Sequence, residues 1–275
     1  MHIAVLLFAL CALFAKWLSL PAIYIVIGRS LFAALAIYGF CRYRAIALHL
    51  PRNYHYKLLA SGLLLALHWW SFFYVIQISS VTLGLLTFAC FPMFVGVISY
   101  FFGQQKITLV FVAQALLCLA GIYLVLPGEQ ANLSNVNAVL IGLFSALSFA
   151  LLTVFNRQYV QNMKPERIAF WQNLYAASWL LPLLFTYQII PSLNELLVLA
   201  LLGVVFTALA HTLLLFSLKT IPAFTVSIAV SLEPVYGIFA AYLLLNETMT
   251  VAIFAGGLLV LTASVWSANS NRHKK

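Results

Sequence analysis

Apolar residues run along this chain in ten stretches of spanning length, parted by short polar or proline-bearing joints. The stretches are Ile3–Leu20, Ile23–Phe40, Leu58–Ile78, Val81–Phe102, Ile107–Leu126, Val136–Phe155, Ile168–Tyr187, Leu196–Leu218, Ile221–Leu245 and Val251–Ser267. A helix rises 1.5 Å per residue and a bilayer core is about 30 Å thick, so about 20 apolar residues suffice to cross it. Breakers fall in the joints: Pro21, Pro51, Pro127-Gly128, Pro165 and Pro191. Several joints hold only a few residues, which forces neighbouring helices to pack antiparallel. The pattern predicts an all-α membrane protein with ten transmembrane helices.

An offset of 142 residues lays the second half of the chain on the first. Pro92 falls on Pro234, Tyr100 on Tyr242, Thr108 on Thr250, and Ala66-Leu67 on Ala208-Leu209. The hydropathy boundaries coincide as well, so the chain divides into a repeat at 1–127, a second at 136–268, and a basic tail at 269–275. Each repeat holds five spans, an odd number, so the second enters the membrane inverted. Inverted repeats of this kind build secondary transporters, with binding near the midplane between the halves. The two copies differ at one telling place: Phe91 stands where the second repeat has Glu233.

Composition agrees with a membrane protein. The chain is 65% hydrophobic and 7% charged, against about 45–50% and about 25% in soluble domains. The net charge of +9 is not a nucleic-acid signature, because the basic residues sit at helix ends rather than in a patch. With the N-terminus cytoplasmic, twelve of the 14 basic residues fall on inside connections or the tail. They are Arg42, Arg44, Arg52, Lys57, Lys106, Arg157, Lys164, Arg167, Lys219, Arg272, Lys274 and Lys275, while Glu129, Glu195 and Glu247 fall outside. By the positive-inside rule both termini are cytoplasmic. The first run lacks a basic leader and a cleavage site and is expected to be retained. Cys11, Cys41, Cys90 and Cys118 show no paired spacing and read as small buried hydrophobes.

Polar residues inside the spans are the candidates for function. A carboxylate at mid-span costs roughly 2.5–3.5 kcal/mol on insertion scales, and Glu233 sits halfway along Ile221–Leu245. Pro234 follows it, removes a backbone donor and frees the carbonyl one turn back. A carboxyl group and a helix break at one depth point to an interior cavity, with Tyr236 on the same helical face. Glu233 is open to four roles: neutralising a substrate amine, coupling to protons, pairing with Arg29, or capping the freed backbone. Lys16 is near enough to its helix end to snorkel, whereas Arg29 lies two turns inside and is assigned an interior role. His68, Trp69 and Trp70 sit at mid-depth in the third run. Trp70, Tyr74 and Gln77 form one stripe, and Gln172, Tyr175 and Trp179 repeat the device in the seventh. Such walls suit an amphipathic or cationic small molecule, or else serve interhelical packing. His211 aligns with Trp69 in the repeat, as a packing residue or a proton relay.

These residues bring the chain to a family. Ser231-Leu-Glu-Pro-Val, Tyr242-Leu-Leu-Leu-Asn-Glu247 and Gly256-Gly257, with the weaker Phe91-Pro92-Met-Phe and Phe101-Phe-Gly103-Gln-Gln, resemble the drug/metabolite transporter superfamily. Within it, the match is to the EamA-type ten-helix transporters, and Lys16 and Arg29 match that family's basic positions. The resemblance implies an inner-membrane secondary transporter, an exporter, of small organic solutes such as amino acids or their derivatives. Helix one departs from the pattern at Leu10-Cys11-Ala12 and carries no acid, so the proton-exchange mechanism of the small multidrug-resistance relatives does not carry over.

Asp is absent, and no nucleophile–base set, phosphate loop or metal-ligand spacing appears. The expectation is a non-enzymatic carrier with no cofactor or metal. Its partners are a small organic solute and the lipid bilayer, with proton coupling as an option and no nucleic acid. A membrane-embedded enzyme would need convergent titratable groups near one interface. A non-transporting accessory subunit would carry no solute.

Overall fold

The computed structural model describes residues 1–102, 108–125, 133–186 and 189–272. Among the sequence features above, Gly103-Gln-Gln, Lys106, Pro127-Gly128, Glu129, Lys274 and Lys275 lie outside the described residues. Within those residues the regular secondary structure is all helical. The helices are α1 (His2–Cys11), α2 (Phe14–Trp17), α3 (Ala22–Tyr43), α4 (Arg52–Ile78), α5 (Val81–Phe88), α6 (Phe91–Phe101) and α7 (Leu109–Val125). They continue as α8 (Leu133–Tyr159), α9 (Pro165–Leu180), α10 (Leu193–Gly203), α11 (Ala210–Thr220), α12 (Ala223–Val230), α13 (Glu233–Leu245) and α14 (Val251–Arg272).

Among the described residues, seven segments are long and apolar enough to cross a membrane: 22–43, 52–78, 81–101, 136–159, 165–186, 193–220 and 223–245. Three apolar helices are shorter, His2–Trp17, Leu109–Val125 and Val251–Ala263. They coincide with the first, fifth and tenth apolar runs. Together these segments make a multi-pass membrane protein.

Several spans are broken, and the breaks follow the chemistry. Pro92 and Pro234 occupy the first turns of α6 and α13, where a missing N–H is tolerated. The turn before each joins two half-helices, α5 to α6 and α12 to α13. An offset of 142 carries 81–88 onto 223–230, the bounds of α5 and α12, and carries 91 onto 233, where α6 and α13 begin. The span α10–α11 departs differently, through a π-helical turn at Val204–Leu209.

Packing encloses the first pair of half-helices, α5 and α6, far more than the second, α12 and α13. α4 lies against α8 and α9, α3 against α9 and α10, and α5 between α13 and α8. α7 and α14 pair with each other, crossing so closely at Gly121 and Gly256 that a Cβ on either would meet the other's carbonyl oxygen at 2.5–2.6 Å. Small residues at such crossings let helix backbones approach where lipid supplies no hydrophobic drive. The span containing α5 and α6 is the most enclosed, with 89% of its apolar window buried.

Candidate functional site

The site is assembled around Arg29 on α3, which is 1% exposed. A buried guanidinium needs partners for its donors, and each one found here comes from another helix. Gly203 lets α10 come up against α3, because its hydrogen faces the Arg29 carbonyl and the Phe32 side chain where a Cβ would lie 2.8 and 2.5 Å away. The π-helical turn then begins. π-turns widen the helix and recur at functional sites. This one presents Thr207, whose Oγ1 accepts from Arg29 Nε at 2.9 Å and donates to the Leu202 carbonyl at 2.8 Å. The guanidinium carbon lies 4.1 Å from the Trp69 ring centroid and 5.1 Å from that of Phe73. Stacking on an aromatic face compensates part of the charge's lost hydration.

Arg29 faces a small pocket of about 20 Å³, room for one water-sized group. Its other polar walls are His68 on α4, His211 on α11, Cys11 on α1 and Glu233 on α13. Phe8, Trp69, Phe72, Phe88 and Phe149 complete it. Glu233 is 4% exposed, at the first position of α13. The start of a helix favours a carboxylate through its unpaired N–H groups and dipole. His68 is held against α8, its Nδ1 2.9 Å from the Ser145 hydroxyl and its ring stacked 4.4 Å from Phe149. The His211 Nδ1 lies 3.3 Å from the Asn173 Nδ2, and its ring meets Trp69 edge-on at 6.0 Å.

Five of the sequence candidates therefore meet in one place: Arg29, His68, Trp69, His211 and Glu233. The others are placed elsewhere. Lys16 donates to the Ser79 carbonyl at 2.9 Å, closing the end of α4. Gln77 holds the α2–α3 joint, donating to the Leu20 carbonyl at 2.8 Å and accepting from the Ala22 N–H at 3.0 Å. Trp70 and Tyr74 stack on each other with centroids 5.6 Å apart, away from the Arg29 pocket. Gln172 joins Asn156 and Ser61 in a separate buried polar knot between α9, α8 and α4. Tyr175 meets His55 at 3.0 Å, and the half-exposed Trp179 donates to the Leu59 carbonyl at 3.0 Å. Pro234 and Tyr236 line a second cavity, an open apolar groove of about 570 Å³ between α1, α13 and α14.

Sequence reasoning passed over several residues that the pocket uses. Cys11, read only as a small hydrophobe, lies beside Arg29. Phe88 and Phe149 bring the spans of α5 and α8 into the lining, while α9 stays out of it and contributes Asn173 behind His211. Thr207 stands four residues before His211 on one helical face, a signal that was available.

Glu247, taken from sequence as an outside-turn residue, also has a defined role. Asn246 adopts a left-handed conformation at φ 54°, which ends α13 and turns the chain. The Glu247 carboxylate then accepts from the N–H groups of Val81 at 2.7 Å and Thr82 at 3.2 Å, and from the Thr82 hydroxyl at 2.8 Å. It caps α5 across the two halves of the chain. Glu247→Ala is expected to destabilise the detergent-solubilised protein by about 1–2 kcal/mol, as lost N-caps do. A thermal melt of purified variant and parent measures it, and Glu247→Gln should recover part of the loss.

Apolar helical spans, discontinuous helices and a buried polar pocket mark a multi-pass membrane protein. The profile of the EamA-like transporter family matches residues 1–126 and 136–268. The chain belongs to that family, within the drug/metabolite transporter superfamily. It is similar to an "Uncharacterized transporter YxxF" of Bacillus subtilis (strain 168), 24% identical over 98% of this chain and 90% of that protein. It is also 24% identical to an "S-adenosylmethionine uptake transporter" of Rickettsia bellii (strain RML369-C), over 77% of this chain and 72% of that one. A crystal structure at 16% identity superposes over 99% of the chain with a TM-score of 0.76, a likeness of fold.

Proposed function

We propose that this protein is a secondary carrier of small organic metabolites, amino acids or their derivatives among them, working by alternating access around the Arg29–Glu233 pocket. The observation that carries this reading is the pocket itself. A basic and an acidic side chain on α3 and α13, both buried, line one small pocket in the interior of a membrane protein. Buried charges at membrane depth are costly to keep and mark substrate or ion paths.

The reading includes ten spans arranged as two inverted five-helix repeats, 1–127 and 136–268, with both termini cytoplasmic in a cell inner membrane. The coincidence of half-helix bounds at an offset of 142 supports the repeat, and the inside bias of basic residues supports the orientation. Rocking of one half against the other would open the pocket to each side in turn. Glu233 is the group placed to bind a proton or a substrate cation. Export is the direction the family resemblance implies. The Rickettsia relative is named for uptake, so flux is to be measured both ways.

In proteoliposomes loaded with a labelled metabolite, Glu233→Gln is expected to reduce flux at least tenfold while the variant elutes and melts like the parent. Parental flux in this variant, under gradients in either direction, would remove Glu233 from the transport site.

A further inference from the structure

Two hydrogen-bond donors in the pocket are left without a partner. Among the described residues, the Arg29 Nη2 and the His211 Nε2 are buried and have no hydrogen-bond acceptor. An unmet buried donor is costly, and more so where the group is charged. Two of them in one small cavity make a site built for an acceptor that arrives from outside.

Both donors are held in place. Arg29 cannot turn freely, since Thr207 holds its Nε and Trp69 backs its plane. The proton of His211 is placed by Asn173. The Asn173 Nδ2 donates to the Ala169 carbonyl at 2.8 Å, which fixes the amide's orientation. Its second hydrogen therefore points to the His211 Nδ1, 3.3 Å away, leaving the ring proton on Nε2. Glu233 in the same cavity offers the opposite pole when it is ionised, since a carboxylate only accepts.

We propose that this pocket reads a zwitterion in one orientation. The solute's carboxylate lies between Arg29 Nη2 and His211 Nε2, and its cationic nitrogen lies against Glu233 and the neighbouring aromatic faces. The proposal deepens the transport reading and rests on it. A simple cation would leave Arg29 and His211 unmet, and a simple anion would face Glu233. A neutral amide could reach the donors but would leave the Glu233 charge unmatched. The poles share a small cavity, so the two charges of the solute sit within a few bonds of each other. The present volume of about 20 Å³ admits only a water-sized group, so such a solute enters as the halves part.

The test uses the purified full chain in detergent and probes that differ by one pole. A panel of free amino acids is screened for thermal stabilisation. Those that stabilise are compared with their methyl esters, which lack the anionic pole, and their N-acetyl forms, which lack the cationic pole. The expected result is stabilisation by free zwitterions and at least a tenfold weaker apparent affinity for either masked form. Equal binding of the ester, or stabilisation by none of the panel, overturns the inference.

Asn173→Asp supplies a second measurement. A carboxylate there accepts from Nδ1–H and moves the ring proton off Nε2, turning the donor into an acceptor. The preference for free acid over ester should then fall towards unity, a change that mere loss of packing would not produce. An unchanged preference would overturn the role given to His211. A one-pole solute carried at full rate by the wild type defeats the zwitterion inference and leaves transport standing. Selective zwitterion binding with no flux under any gradient defeats transport and leaves the site.

Discussion

Gly203→Val is expected to yield little folded protein. At this position a Cβ would lie 2.5 Å from the Phe32 Cβ, 2.8 Å from the Arg29 carbonyl oxygen and 3.1 Å from the Ala33 nitrogen. Two of those three neighbours are backbone, and the third is the first atom of a side chain. None can rotate away, so the helices must part. Overpacking a core usually costs about 1–3 kcal/mol, and valine adds two more methyl groups beyond the Cβ. The displacement also carries Thr207 away from Arg29, because the π-helical turn starts at the next residue. Yield after size-exclusion chromatography and the melting temperature in detergent report the effect. Gly203→Ala should fall between variant and parent. A valine variant with the parent's yield and melt would mean that the α3–α10 crossing is looser than described.

The spans could be read from sequence because membrane insertion depends on length and hydropathy, and both are written along the chain. The half-helix breaks were legible for a similar reason. Pro92 and Pro234 act locally, and the structure starts α6 and α13 one residue before each. The site was legible where burial alone is informative. Arg29, His68, His211 and Glu233 are expensive at mid-depth wherever they point, so they had to find one another or a cavity.

Stripe reasoning did less well. Periodicity says which residues share a face and leaves open what that face meets. Trp70, Tyr74 and Gln77 do share one, yet Gln77 ends on the backbone of the α2–α3 joint and the two rings stack on each other. Tyr236 shows a finer error. It lies three residues beyond Glu233, about 60° around the helix on one side, while Gly237 lies about 40° on the other. Gly237 faces Leu85 and the Ala9 carbonyl, and Tyr236 turns out over the apolar groove. The π-helical turn that delivers Thr207 carries no residue signature distinguishing it from an ordinary apolar helix. Its position became clear only with the α3–α10 contact.

Arg29→Met separates a site from a scaffold. Methionine has a similar unbranched stem and can fill the space along Trp69 and Phe73 without a charge. If Arg29 held the helices together, losing it would lower the melting temperature, since breaking a buried polar network typically costs several kcal/mol. The structure argues otherwise. Thr207 keeps its bond to the Leu202 carbonyl after the guanidinium leaves, so no hydroxyl is orphaned. The Arg29 Nη2 has no acceptor to lose among the described residues. Replacing a whole buried ion pair by well-packed apolar atoms is often neutral or stabilising by about 1–4 kcal/mol, and after Arg29 leaves, Glu233 can take up a proton rather than stay as a stranded charge. The variant is therefore expected to melt at or above the parent's temperature while its flux in proteoliposomes falls to the level of empty vesicles. Loss of flux together with a lower melt would assign Arg29 to the scaffold. Retained flux would remove it from the path of the solute.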